Sequence, residues 1–272
     1  MNKDKILEAV NFIQKKISQK PKIGIILGTG IGKFANEIKN KTEIPYETIP
    51  HFGISKVESH EGKLIFGKLY DKNILLMSGR FHYYEGHLIQ KVVFPIHVMK
   101  FLGIETLIIT NAVGGMNPNF SKGDLVVIND HINLMGTNPL IGQNDESIGP
   151  RFPDMSEPYK KKLISIAKHC ALDLKINLQQ GVLVSVSGPT METRSEYRFL
   201  RMIGADVVGM SMVPECIVAN HMSMNVLGIS IVTDECFPDS LKKISLKEVI
   251  ETANTSVPKL ALLLKTILKK IK

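Results

Sequence analysis

The stretch Ile74–His87, ILLMSGRFHYYEGH, joins two contrasting kinds of sequence. Its first four residues form an unbroken apolar run, the pattern of a strand buried on both faces. The next ten set Arg80, His82, His87, Tyr83, Tyr84 and Glu85 beside Gly79 and Gly86. In sheets of parallel strands covered by helices, ligands bind in the crevice beyond the carboxyl ends of strands. Polar and aromatic chemistry placed immediately after a core strand therefore reads as part of a site, and the ends of the other strands become the places to look.

Working outward, strands and helices alternate. Helical spacing of Ile6, Val10, Ile13 and Ile17 covers residues 3–18, and a short strand follows from Lys22 to Leu27. Residues 63–69 and 73–78 read as two strands joined by a turn at Asp71-Lys72-Asn73. A helix is expected over 88–102, a strand over Thr106–Thr110 running into the loop NAVGGMNPN, and a strand over Leu125–Ile128. A loop rich in Gly, Pro, Asn and Asp occupies about 135–157. Helices near 158–171, 193–203, 214–222 and 246–270 then alternate with strands at Val182–Val186, Val207-Val208 and Val226–Val232. This order predicts an α/β fold: a single domain over 1–272 with a central, mostly parallel mixed sheet flanked by helices. No internal repeat, low-complexity segment or linker divides it.

Six of the strand ends carry GTGIG, GRFHYYEG, NAVGG, SGPTMET, GMS and TDEC, all polar or glycine-rich. Together they point to one composite small-molecule site. Singly, each has an ordinary reading. LGTGIGKF lacks the glycine a Walker loop needs where Leu27 stands and the Ser or Thr it needs at Phe34, and its spacing also departs from the dinucleotide fingerprint. What remains is a backbone small enough to approach an anion, with the Thr29 hydroxyl beside it. Arg80 alone would suit a structural ion pair, His82, His87 and His97 satisfied histidines, Glu192 and Asp234 capping acids, and Met191 and Met210 core packing.

Composition narrows the function class. The chain has 272 residues, 44% hydrophobic and 22% charged, as globular domains do. Its net charge of +8 comes largely from lysine clusters such as Lys15-Lys16, Lys160-Lys161-Lys162 and Lys269-Lys270. No aromatic-interleaved basic stripe accompanies them, which argues for a solvated surface and against nucleic acid. No apolar run is long enough for a membrane span, and MNKDKILEAV is a charged amphipathic start, so no membrane association is expected. Cys170, Cys216 and Cys236 are odd in number and lack CxxC spacing. They read as reduced thiols of a cytoplasmic protein, in the core or near the site. No HExxH or Cys/His cluster favours a metal.

Ten motifs, in order, carry a resemblance: LGTGIG, HEGKLIFG, GRFHYYEG, FPIHV, TNAVGGMNP, GDLVVINDHINL, NPLIGQND, RFPDMS, GPTMETRSEYR and GADVVGMSMVPE. Over roughly Lys22 to Ala253 the sequence resembles the trimeric purine nucleoside phosphorylases. The resemblance implies the nucleoside phosphorylase fold and reversible phosphorolysis of purine ribonucleosides and deoxyribonucleosides, a reaction of purine salvage. Phosphate attacks C1′ through an oxocarbenium-like transition state, releasing base and ribose 1-phosphate. Phosphate is the nucleophile and co-substrate, and no cofactor is implied.

The same resemblance implies roles for residues. Thr29, His60, Arg80, His82, the backbone of Ala112 and Ser211 match the phosphate site. Arg80 suits it because its planar fork grips phosphate oxygens. Tyr84 and Met210 match ribose positions. Met191, Glu192, Val208, Thr233 and Asp234 match the base site, and His82, Glu192 and Asp234 are the candidate catalytic groups. Phe152 in RFPDMS matches an aromatic that enters a neighbour's sugar pocket, so a homotrimer is implied.

Three departures bear on substrate. Met191 stands where the family has phenylalanine, Asp234 where the 6-oxopurine enzymes have asparagine, and Leu246 where a histidine meets the 5′-hydroxyl. Asp234 and Leu246 lean toward the 5′-methylthioadenosine phosphorylases. Glu192, suited to the N1–H and 2-amino edge of guanine, leans back toward inosine and guanosine. A non-catalytic nucleoside- or phosphate-binding protein on the same fold is the remaining alternative.

Overall fold

The computed structural model describes residues 2–28, 30–53, 62–243 and 245–271. Thr29 and His60 lie outside the described residues. In chain order the elements are α1 (Lys3–Gln14), β1 (Ile23–Ile26), β2 (Lys39–Pro45), β3 (Lys63–Leu69), β4 (Lys72–Ser78), α2 (Ile89–Val92), α3 (Phe94–Phe101), β5 (Thr106–Gly115) and β6 (Leu125–Leu134). There follow α4 (Lys161–Asp173), β7 (Leu178–Val186), α5 (Arg194–Met202), β8 (Val207–Gly209), α6 (Val213–His221), β9 (Asn225–Glu235) and α7 (Leu246–Lys270).

The strands form one mixed sheet in the order β2-β3-β4-β1-β5-β8-β7-β6-β9. Because β9 also pairs with β5, the last five strands of that order close into a ring. β1 runs parallel to both β4 and β5, and β5–β9, β6–β7 and β7–β8 are parallel as well. The β2–β3, β3–β4, β5–β8 and β6–β9 pairs are antiparallel. Two helical groups flank the sheet, α1 with α3 and α6, and α4 with α7. β1 is buried at every residue, and so are Ile74 to Ser78 of β4. The apolar run that opens the sequence reading is thus an interior strand next to the chain's central pairing.

Local chemistry accounts for the boundaries. α1 starts at Asn2, whose side-chain oxygen accepts from the amides of Asp4 and Lys5 at 2.9 and 3.2 Å. It buries Ile6, Ala9, Val10 and Ile13. It ends at Gln14, short of the expected residue 18, since only the half-buried Ile17 offers the core an apolar side chain beyond it. The helix expected over 88–102 is split at Val93 into α2 and α3, with Pro95 in the first turn of α3, where its missing N–H costs nothing. β2 escapes sequence reading because it is an edge strand whose lysines face solvent and whose one buried residue is Ile44.

The larger correction concerns NAVGG. It is strand, the second half of β5. Asn111, Ala112 and Val113 pair with Ser230, Ile231 and Val232 of β9, and Gly114 and Gly115 pair with Val208 and Val207 of β8. The glycines mark close packing rather than a turn: a Cβ on Gly114 would come within 2.5 Å of the Cys236 sulfur, and one on Gly115 within 2.8 Å of Val232. β9 likewise runs on through Thr233 and Asp234, which are strand residues and not loop.

Candidate active site

Gly79 allows the turn that brings Arg80 into the molecule. Its φ of 97° lies in the left-handed region, where a side chain would be strained. The Tyr46 hydroxyl donates to its carbonyl at 2.7 Å and so pins the turn. Arg80 is 1% exposed. Its Nη2 donates to the Thr110 carbonyl on β5, and its Nη1 stands 3.4 Å from Oε1 of Glu215 at the start of α6. Burial works against the guanidinium's charge and the Glu215 carboxylate works for it. Thr110 also ties the neighbouring strand end: its hydroxyl donates to the Ile26 carbonyl at 2.9 Å and accepts from the Gly28 amide at 3.2 Å.

His82 follows, 5% exposed. Its ring Nδ1 and its backbone amide both address Oε1 of Glu85, at 3.1 and 2.8 Å. Burial lowers the imidazole's pKa and keeps it neutral near pH 7, while the hydrogen bond to Glu85 pulls the other way. With Nδ1–H donating to the carboxylate, Nε2 is the ring's acceptor, which suits a protonated phosphate oxygen. The ring stacks on Tyr84 with centroids 4.7 Å apart and planes 18° off parallel. Burial raises the Tyr84 phenol to about 12, so it remains a donor.

The second cluster lies further along β5. Asp234 is the register partner of Gly114. The Thr233 hydroxyl stands 2.8 Å from its Oδ1, and the Cys236 thiol donates to its Oδ2 at 3.0 Å. Glu192, after β7, is half-buried. Desolvation raises its pKa, a hydrogen bond from Tyr197 opposes the rise, and the nearby Asp234 adds to it. Met116, Val184, Tyr197, Leu200, Ala205, Val208 and Cys236 form a separate small apolar cluster behind these acids.

Both clusters line one cavity of about 130 Å³. Its walls hold Arg80, His82, Tyr84, Ala112, Met191, Glu192, Val208, Met210, Ser211, Thr233 and Asp234, eleven of the residues singled out from sequence. It continues past Met191, Glu192, Tyr197 and Asp234 into a wider cleft of about 530 Å³ that also meets Lys122, Lys242 and Lys243. Two expected residues are elsewhere. Phe152 is 87% exposed and lines another cleft with Asn138 and Ile141. Leu246 is exposed at the first turn of α7, and Val249, one turn on, reaches the cavity instead. Sequence reading missed Asn111, Tyr197 and Val249 as wall residues. Asn111 was visible in NAVGG, but the loop assignment hid its inward register. Its Oδ1 accepts from Ser230 at 2.6 Å, and its buried Nδ2 has no hydrogen-bond partner among the described residues.

Residues 22–269 match the model of the Phosphorylase superfamily. The chain is 52% identical over 249 residues to purine nucleoside phosphorylase 1 of Bacillus subtilis, covering 92% of each chain. It is 50% identical over 252 residues to purine nucleoside phosphorylase 1 of Geobacillus stearothermophilus, covering 93% of this chain and 92% of the other. Among solved structures, Schistosoma mansoni purine nucleoside phosphorylase in complex with adenosine superposes with a TM-score of 0.94 at 38% identity, covering 100% of this chain and 98% of that one.

Proposed function

The chain belongs to the Phosphorylase superfamily, among its purine nucleoside phosphorylases, and on that premise we propose that the cavity carries out reversible phosphorolysis of purine nucleosides. One observation carries the reading. Arg80 bonds Thr110 at one point of β5, and Asp234 pairs with Gly114 four residues further along the same strand. At the rise of a β-strand that is about 13 Å, a span that phosphate, pentose and purine fill end to end. A cation for an anion stands at one end, and carboxyl groups for a heterocycle's N–H edge stand at the other.

In this reading Arg80, His82, Ser211 and the Ala112 backbone hold phosphate, with Thr29 and His60 assigned to the same task. Tyr84 and Met210 face the sugar. Met191, Val208 and Thr233 wall the base, and Glu192 and Asp234 read its edge. The protein's work is to fix phosphate beneath C1′ and to supply hydrogen bonds that strengthen as negative charge builds on the departing purine. Phosphate is the nucleophile, so no protein side chain forms a covalent intermediate.

The 5′-methylthioadenosine alternative is not favoured, because the relatives matched over most of the chain are named purine nucleoside phosphorylases. Assembly as a homotrimer belongs to the same proposal. It is supported by Phe152, a large apolar side chain 87% exposed beside the exposed Ile141, as expected of a residue that a neighbouring copy covers. The reverse reaction tests the function. Hypoxanthine and ribose 1-phosphate should yield inosine and free phosphate, and no synthesis at any ratio of reactants would reject it.

A further inference from the structure

Cys236 is 1% exposed and has no part in the roles given above. Its amide donates to the Gly115 carbonyl at 2.7 Å, and its sulfur fills the space left by the missing side chain of Gly114. From that fixed position the thiol donates to Asp234 Oδ2 at 3.0 Å, while the Thr233 hydroxyl serves Oδ1 at 2.8 Å. The Tyr197 hydroxyl interacts with both the Cys236 sulfur and the Glu192 carboxyl. Burial pushes the Cys236 thiol and the Tyr197 phenol upward, so both keep their protons and act as donors.

We propose that Cys236 is a specificity-determining positioning residue: with Thr233 it holds the Asp234 carboxylate as a hydrogen-bond acceptor, and the site thereby takes 6-aminopurine nucleosides alongside 6-oxopurine ones. The proposal rests on the assignment of Asp234 to the base. A 6-amino group donates two hydrogens, and N1 of the same ring accepts one. A carboxylate already taking a hydrogen bond on each oxygen retains lone pairs for the amino group. Glu192, whose pKa burial raises, can donate to N1 when it carries a proton. One proton shared by two carboxyl groups thus matches the 6-aminopurine edge. For a 6-oxopurine the same proton must stand on Asp234, facing O6 or N7, while Glu192 accepts from N1–H.

The test is the ratio of kcat/KM for adenosine to that for inosine, measured with saturating phosphate in the wild type, Cys236→Ala and Cys236→Ser. The wild type should cleave both nucleosides. Cys236→Ala, which removes the donor, should lower the ratio by about tenfold or more, and Cys236→Ser, which keeps a donor at that position, should restore most of it. If the alanine variant does not fold, Cys236→Val removes the donor at nearly constant volume. A ratio unmoved in the donorless variants, or lowered equally in Cys236→Ser, overturns the proposal. A wild type that phosphorolyses inosine and leaves adenosine intact overturns it too, with phosphorolysis still standing. Absence of any nucleoside cleavage would instead remove the reading on which it rests.

Discussion

The Arg80 guanidinium and the Glu215 carboxylate face each other at 3.4 Å, with their side chains only 2% and 3% exposed. Breaking a buried pair by removing one partner typically costs about 3–5 kcal/mol. Glu215→Gln should therefore lower the urea midpoint in phosphate-free buffer. Inorganic phosphate should then stabilise the variant more than the wild type, because the ligand brings an anion to a guanidinium that has lost the Glu215 carboxylate. Equal stabilisation of both proteins would place phosphate away from Arg80.

Gly114 packs against Cys236 and Asp234. A Cβ there would stand 2.5 Å from the Cys236 sulfur and 3.3 Å from Asp234 Oδ2. Gly114→Ala must displace one of them, and overpacking of this kind costs about 1–3 kcal/mol. The nucleoside KM should rise severalfold with the phosphate KM little changed. A rise confined to phosphate would place the base at the other end of β5.

Much of this arrangement was legible in the sequence. The strand before Arg80 and the polar residues at strand ends could be read because side-chain period and burial act locally. GMS and SGPTMET meet at the cavity for the same reason, each following a strand of the ring. Three things could not be read. The closure of β9 onto β5 depends on long-range pairing, so NAVGG resembled a loop. The Glu215 partnership joins the turn after β4 to the first turn of α6, and nothing in VPE distinguishes a buried glutamate from a solvated one. Cys236 is an isolated thiol in sequence and meets Asp234 only where the Gly114 backbone admits its sulfur.

Phe152 offers a test of assembly. Its ring stands 87% exposed, with the Arg151 guanidinium carbon 5.6 Å from the ring centroid. In a trimer whose protomers cap one another's sugar sites, Phe152→Ala should raise the nucleoside KM and leave the unfolding midpoint of a single chain unaffected. Light scattering should give three times the chain mass for the wild type. A fully active monomer would contradict the assembly.

The pH dependence of stability has an identifiable contributor in His97. Burial is the main cause that holds its imidazole down to about 4 from the ordinary 6.5, against a hydrogen bond to the Val93 carbonyl at 3.2 Å and with His221 nearby. The unfolded chain takes up this proton as pH falls through 6.5, and the folded chain does not until about 4. The contribution is therefore complete above the unfolded value and is lost as pH drops across that window, by about 3 kcal/mol. Urea unfolding should show the decline between neutral pH and about pH 4, and His97→Gln should flatten it. A decline of the same slope in His97→Gln would assign it to other groups.

In the proposed reaction one cavity binds phosphate at Arg80 and a purine nucleoside's base at Glu192 and Asp234, and phosphate displaces the base from C1′ in a single step. Its most direct test is the product balance from inosine with and without inorganic phosphate. Hypoxanthine should appear only when phosphate is present, with one ribose 1-phosphate formed for each base released. Hypoxanthine released at the same rate without phosphate, accompanied by free ribose, would make water the nucleophile and contradict it.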